Sequence, residues 1–254
     1  QVRLPDGLDA VLDNRHRVDR ESHHLALFGG IAARPKTLGE ATLEGSYFRL
    51  EESDAPGRPT RDRRLDTFSV RAIRDPKAGQ WDFEVEALRQ TGSVRRGLLA
   101  ADPDLKVGAG FLHAGVGYSA TGRWAPRLSG MLDIATGDRG AGRYNRFDSL
   151  FGMRRGEYAP AGLYSAIGRA NMVAPGLRLD VVPNPLWDGL ITVRGLWLQS
   201  DQDAFSTTGV RDPTGRSGDF AGAQIEGRAR RWLVKDRLRA EVDWAWLAKG
   251  KFLR

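Results

Sequence analysis

The segment RLRAEVDWAWLAK at Arg237–Lys249 alternates apolar and charged side chains over most of its length. Leu238 and Trp244 occupy one set of alternate positions, and Arg239 and Glu241 occupy the other. Successive side chains of a β-strand leave opposite faces of the sheet, so a period of two predicts a strand with one apolar and one charged face. This segment therefore predicts β structure at the end of the chain.

Nine earlier segments show the same kind of pattern, although the phase of the first two is ambiguous. They are His24–Ala33, Ala41–Leu50, Leu65–Arg74, Gln80–Gln90, Lys106–Ala120, Pro126–Thr136, Gly176–Val182, Leu190–Ser200 and Phe220–Trp232. Ten strands with no helical periodicity between them predict an all-β fold.

The connections between these segments alternate in length. Five are short and turn-rich, and the four between them are long, polar and rich in Gly, Pro and Arg, near residues 51–64, 91–105, 137–175 and 201–219. Outer-membrane barrels have short periplasmic turns and longer extracellular loops. The sequence thus predicts an antiparallel up-and-down transmembrane β-barrel, with apolar faces toward lipid and charged faces toward a water-filled lumen. The longest connection, 137–175, is expected to fold inward or cover the mouth.

Composition limits the other possibilities. The chain has 254 residues without cysteine, which excludes disulfides and thiol chemistry. No apolar run approaches the roughly 20 residues that a spanning helix needs. The net charge of +7, from 39 Lys and Arg against 32 Asp and Glu, favours anionic partners. We expect one barrel domain over residues 1–254, with residues 1–22 forming an irregular segment or a partial strand.

The sequence contains little that indicates catalysis. Adjacent His23 and His24 would point to opposite faces of a strand, and no zinc-protease spacing occurs. The Gly-rich stretch at 136–143 lacks the Gly-Lys-Ser/Thr ending of a phosphate loop. Glu84 and Glu86 share one strand face, where a solvated lumen wall explains them most simply. We therefore expect no catalytic residues, no metal, no cofactor and no enzyme activity.

The charged faces give a stronger functional indication. The candidate pore-lining residues are Arg71, Arg127, Arg178, Arg194, Arg228, Arg230 and Arg239, with Asp133 and Glu226 on the same faces. Opposite charges on neighbouring strands can pair, and arginine left over from such pairs would present guanidinium forks to carboxylates. Rings of Arg favour anion passage. A nucleic-acid partner is not expected, because the aromatic residues lie mostly on the strand faces opposite to the arginines.

Several stretches resemble the alginate export family of bacterial outer-membrane β-barrel proteins. They include RFDSLFG at 146–152, GRAN at 168–171, PGLRL at 175–179, GVRDPTGRSG at 209–218 and WLAKGKF at 246–252, and the match is strongest over 146–254. The resemblance implies a barrel of about 18 strands in the outer membrane of a Gram-negative envelope. It also implies export or passage of an anionic, alginate-like polysaccharide through an arginine-lined pore. The implied partners are that polysaccharide or another anionic solute, outer-membrane lipid and periplasmic export-complex proteins.

The chain departs from the family pattern in its strand count and in its last residues. It supplies ten strands, and it ends at Phe252-Leu253-Arg254 without a terminal aromatic-ended strand. These features predict the C-terminal portion of a longer barrel. Other functions remain open at this point: a general anion-preferring porin, a soluble β-rich module that binds an acidic ligand, or a membrane-embedded enzyme that uses Glu84 or Asp133.

Overall fold

The computed structural model describes residues 25–38, 40–54, 57, 59–140, 142–150, 158 and 167–254, and these form an all-β fold. The strands are β1 (Leu25–Leu38), β2 (Ala41–Glu52), β3 (Arg64–Arg74), β4 (Gln80–Arg95), β5 (Asp104–Ser119), β6 (Arg127–Ala135), β7 (Arg143–Tyr144), β8 (Met172–Asn184), β9 (Trp187–Trp197), β10 (Phe220–Val234) and β11 (Leu238–Lys249). A short 3-10 helix, Lys251–Leu253, follows β11. The segment 1–22, expected to be irregular or a partial strand, lies outside the described residues.

Strands that follow one another in the chain are neighbours in a single sheet. The order is β1-β2-β3-β4-β5-β6-β8-β9-β10-β11, with every pair on this path antiparallel. The two-residue strand β7 lies off this path and pairs in parallel with β5. The prediction of an all-β, antiparallel up-and-down fold is confirmed. Across the described residues the sheet is not closed, and β1 and β11 are its edges.

All ten predicted strands are present, with differences at their ends. β4 and β5 are each 16 residues long and extend toward the connection 96–103, beyond the predicted bounds. The added end of β4, residues 91–95, contains Thr, Gly and Ser, so the sequence there shows no alternation of apolar and charged residues. β8 begins at Met172, four residues before the predicted start. The prediction began too late because Pro175 lies within the strand, and proline ordinarily marks a strand boundary. β7 was not predicted, since two residues carry no periodicity.

The turns and the long connections lie at opposite ends of the sheet. The short turns follow β1, β3, β5, β8 and β10, and the long connections follow β2, β4, β6 and β9. In an antiparallel meander, alternate connections lie at the same end. The molecule therefore has a short-turn end and a long-connection end, as the spacing of the predicted strands indicated.

The two faces of the sheet have the reverse of the usual burial. Val70, Leu177 and Trp246 on the outer face are 66%, 62% and 64% exposed, whereas Asp133 and Arg194 on the inner face are 4% and 3% exposed. Monomeric water-soluble proteins rarely expose such a continuous apolar band. Apolar residues outside and charged residues inside are the arrangement of a barrel wall in lipid.

Near the long-connection end the inner face itself becomes apolar and is covered by the connections. Phe111 of β5 stacks on Phe147, with ring centroids 5.7 Å apart. Tyr158 and Phe205, from the connections after β6 and β9, are buried together with Leu196 of β9. The described parts of these two connections therefore fold onto the inner wall.

In the described part of the chain, helical structure long and apolar enough to span a bilayer is absent.

Candidate pore-lining site

Most of the predicted pore-lining residues surround one recess on the inner face. This recess has a volume of about 460 Å³, and six of the nine predicted residues line it: Arg127, Asp133, Arg178, Arg194, Glu226 and Arg228. Arg71 lines a neighbouring recess of about 290 Å³. Arg230 and Arg239 lie on the same face but outside both recesses. The register of four strands, β6, β8, β9 and β10, brings the six residues of the larger recess together.

Each of the seven predicted arginines has a carboxylate partner. The pairs are Arg71 with Glu44 and Glu84, Arg127 with Asp82, Arg178 with Asp180, Arg194 with Asp133, Arg228 with Asp243, Arg230 with Asp188, and Arg239 with Glu241. All seven guanidinium groups are therefore paired, whereas the sequence predicted some of them to be unpaired and available to carboxylates of the solute. Along the strands, the inner face is a lattice of opposite charges.

The most buried part of this lattice is centred on Asp133 of β6. His113 Nδ1 lies 2.7 Å from Asp133 Oδ1, and Arg194 Nη1 donates to Asp133 Oδ2 at 3.2 Å. Arg194 Nη2 is 3.9 Å from Glu226 Oε1, and its guanidinium carbon lies 5.0 Å from the centre of the Tyr158 ring. One buried guanidinium thus joins two carboxylates and an aromatic ring from four separate parts of the chain.

Glycines on the inner face allow two of these pairs to cross an intervening strand. Arg127 of β6 reaches over Gly117 of β5 to Asp82 of β4, and its Nε donates to Asp82 Oδ2 at 2.9 Å. Arg194 of β9 reaches Asp133 of β6 across β8, where Gly176 stands opposite Arg194. A side chain at Gly117 would occupy the space that Arg127 crosses, and a Cβ at Gly176 would lie 3.3 Å from Met131 Cγ and 3.7 Å from Arg194 Cβ.

Gly117→Ala is expected to lower the unfolding free energy by about 1 kcal/mol. The new Cβ would lie 2.6 Å from Arg127 Nη2 and 2.8 Å from Asp82 Oδ1, so both side chains must leave their rotamers. Gly130→Ala is the matched control, because its Cβ would meet only the Leu177 Cδ2 at 3.8 Å. Urea unfolding from lipid vesicles measures the unfolding free energy of the two variants. Equal values would contradict a path of the Arg127 side chain over Gly117.

Sequence reasoning missed two contributors from the connection after β6. Arg169 Nη1 lies 3.8 Å from Glu86, and its guanidinium carbon lies 4.6 Å from the centre of the Phe111 ring. Tyr158 lies against Arg194, and its carbonyl oxygen accepts a hydrogen bond from Gln224. Neither Arg169 nor Tyr158 belongs to a periodic segment, so no strand pattern could have found them.

The described residues contain no group of three or more His, Asp or Glu side chains that could hold a metal ion. The central group of His113, Asp133 and Glu226 is instead occupied by Arg194, whose guanidinium lies between the two carboxylates. What this arrangement offers chemically is a polar, charge-balanced surface along which ions or a charged polymer can be solvated.

Comparison with known proteins supplies the family. The model of the alginate export family matches residues 10–254, so it covers the first strands as well as the region of the clearest resemblance. No curated protein matches the chain. Alginate export proteins form an outer-membrane family for transport, which agrees with the all-β fold and its inverted faces. The chain belongs to the alginate export family, an outer-membrane family of polysaccharide export proteins.

Proposed function

We propose that this chain forms the wall of an outer-membrane passage for an anionic, alginate-like polysaccharide. The single observation that carries the proposal is the inversion of the two faces, with apolar residues exposed outside and ion pairs inside. A sheet of this kind separates lipid from water. The solute then moves along the inner face, past the recess of about 460 Å³.

The arginines of the recess would contribute to the choice of solute. Arg178 is the most accessible of the four predicted arginines that line it, since its side chain is 38% exposed, and it pairs with Asp180 on its own strand. A guanidinium that stays hydrated can exchange its carboxylate partner for a carboxylate of the polymer. Arg194, by contrast, is 3% exposed and paired with the buried Asp133, so it acts as a support of the wall.

Arg178→Gln is expected to lower the anion-to-cation permeability ratio about threefold in planar bilayers under a salt gradient. One unit charge about 6 Å from a hydrated ion changes its energy by on the order of 0.7 kcal/mol. Arg123→Gln removes the same charge from an exposed turn and serves as the matched control. An unchanged ratio in Arg178→Gln would remove this residue from the permeation path.

Three other functions give different results in simple experiments. A general anion-preferring porin would conduct chloride but would not be blocked by an oligouronate. A soluble module that binds an acidic ligand would stay monomeric in buffer without detergent. A membrane-embedded enzyme would lose turnover on Glu84→Gln or Asp133→Asn while its conductance persisted.

A further inference from the structure

A further recess, separate from the two on the inner face, lies among the connections at the long-connection end. Its volume is about 540 Å³, which falls within the range of about 300–1,000 Å³ typical of ligand sites. All four long connections contribute to it. Its charged and aromatic lining consists of Arg61, Arg96, Asp138, Arg143, Tyr144, Arg146, Asp203 and Arg211. We call it the mouth recess.

The arginines of the mouth recess differ from those of the wall in their pairing. Among the described residues, no carboxylate lies within 4 Å of Arg61, Arg96, Arg143 or Arg211, and only Arg146 pairs with Asp203, at 2.7 Å. On the wall, every predicted arginine has such a partner. The mouth recess therefore brings together four guanidinium groups that have no carboxylate partner among the described residues.

The two carboxylates in the mouth recess are used to hold the connections in place. Asp138 Oδ1 accepts hydrogen bonds from the backbone N–H groups of Arg139 and Asn145, at 3.0 and 3.3 Å. Asp203 accepts from the backbone N–H groups of Asp138 and Ala204, both at 2.8 Å, as well as from Arg146. With these bonds already made, neither carboxylate is placed to neutralise the four unpaired arginines.

Two of these arginines are held in position by backbone carbonyl groups. Arg61 donates to the carbonyl oxygens of Arg95 and Arg96, at 2.9 and 3.2 Å, and its guanidinium carbon lies 4.7 Å from the centre of the Tyr144 ring. Arg211 Nε donates to the Gln202 carbonyl oxygen at 2.7 Å. Each retains free N–H donors, and a pre-positioned guanidinium loses less entropy when it binds a carboxylate.

We propose that the mouth recess is a binding subsite for the carboxylate groups of an acidic polysaccharide. The inference rests on the proposed function and deepens it, because it places recognition of the polymer in the connections and leaves the wall to conduct. Spaced carboxylates on one polymer can engage several arginines together, through forked hydrogen bonds that a neutral sugar cannot make. A polymer held there lies at the entrance to the inner face.

The test uses the protein in planar bilayers, with a short oligouronate added at the long-connection side as a blocker. Arg96→Gln with Arg211→Gln removes two exposed charges from the recess. We expect the dissociation constant for block to rise about tenfold relative to that of the unmodified protein. Arg216→Gln with Arg237→Gln removes the same charge outside the recess. This control variant should be blocked by the oligouronate with the dissociation constant of the unmodified protein.

The outcomes separate this inference from the proposed function. If the unmodified protein conducts and is blocked, but the Arg96 and Arg211 double variant is blocked equally well, the subsite is wrong and the channel stands. Equal block by a neutral oligosaccharide of the same length also overturns the subsite. An inserted protein that carries no current, or that no oligouronate blocks, overturns the proposed function and the subsite with it.

Discussion

Leu177→Arg is expected to lower the unfolding free energy in a lipid bilayer by about 2–4 kcal/mol. Leu177 lies near the middle of β8 on the outer face, where 62% of it is exposed. If that face meets hydrocarbon, the guanidinium must lose its hydration or distort the bilayer to keep it. Urea unfolding from phospholipid vesicles, followed by tryptophan fluorescence, measures the difference.

The control for this substitution lies on the same outer face, at the end of a strand. Leu238 is the first residue of β11, beside the turn from β10, and 54% of it is exposed. Close to the interface the same change costs only about 0–1 kcal/mol, so Leu238→Arg should be nearly neutral. Equal effects at the two positions, or a Leu177→Arg protein that becomes more soluble without detergent, would contradict contact with lipid.

Asp133→Ala is expected to cost about 3 kcal/mol of stability. Asp133 is 4% exposed and Arg194 3%, and the substitution removes the carboxylate that accepts the hydrogen bond from Arg194. Removing one partner of a buried pair typically costs about 3–5 kcal/mol, because a buried charge is left without compensation. Glu226, at 3.9 Å, still attracts the guanidinium and keeps the cost near the lower value. The same unfolding measurement applies.

A second pair and a double variant sharpen this prediction. Asp188 pairs with Arg230 where both side chains are about a third exposed, at 32% and 29%. Water can solvate Arg230 after Asp188→Ala, so the cost should stay below about 1 kcal/mol. Asp133→Ala combined with Arg194→Leu removes both charges and should recover part of the loss. A double variant no more stable than Asp133→Ala alone would show that the stability lost in Asp133→Ala does not come from leaving the Arg194 charge buried and unpaired.

The number of long strands and the assignment of faces could be predicted because both are local properties. The alternation at Leu128, Ser129 and Asp133, or at Leu177, Arg178 and Leu179, is visible within a single segment. The alternating lengths of the connections required only the positions of those segments. Boundaries were less certain at Pro175, where a strand runs through a residue that usually ends one.

The ion-pair partners could not be predicted, since they depend on register between strands far apart in the chain. Arg194 and Asp133 are separated by 61 positions and by an intervening strand. The residues next to Gly117 in the sequence contain no signal that the Arg127 side chain crosses over it. The sequence therefore supports an arginine-bearing inner face but does not show that its seven predicted arginines are all paired.

What the sequence determined alone is the all-β class, the number of long strands and the two faces, because a period of two is a property of each strand by itself. What only the tertiary structure decided is which charges meet. Register placed Arg127 over Gly117 and Arg194 beside Asp133, and folding of the connections brought Arg61, Arg96 and Arg211 to one recess. Electrostatic interactions act through distance in space, and distance along the chain does not specify it.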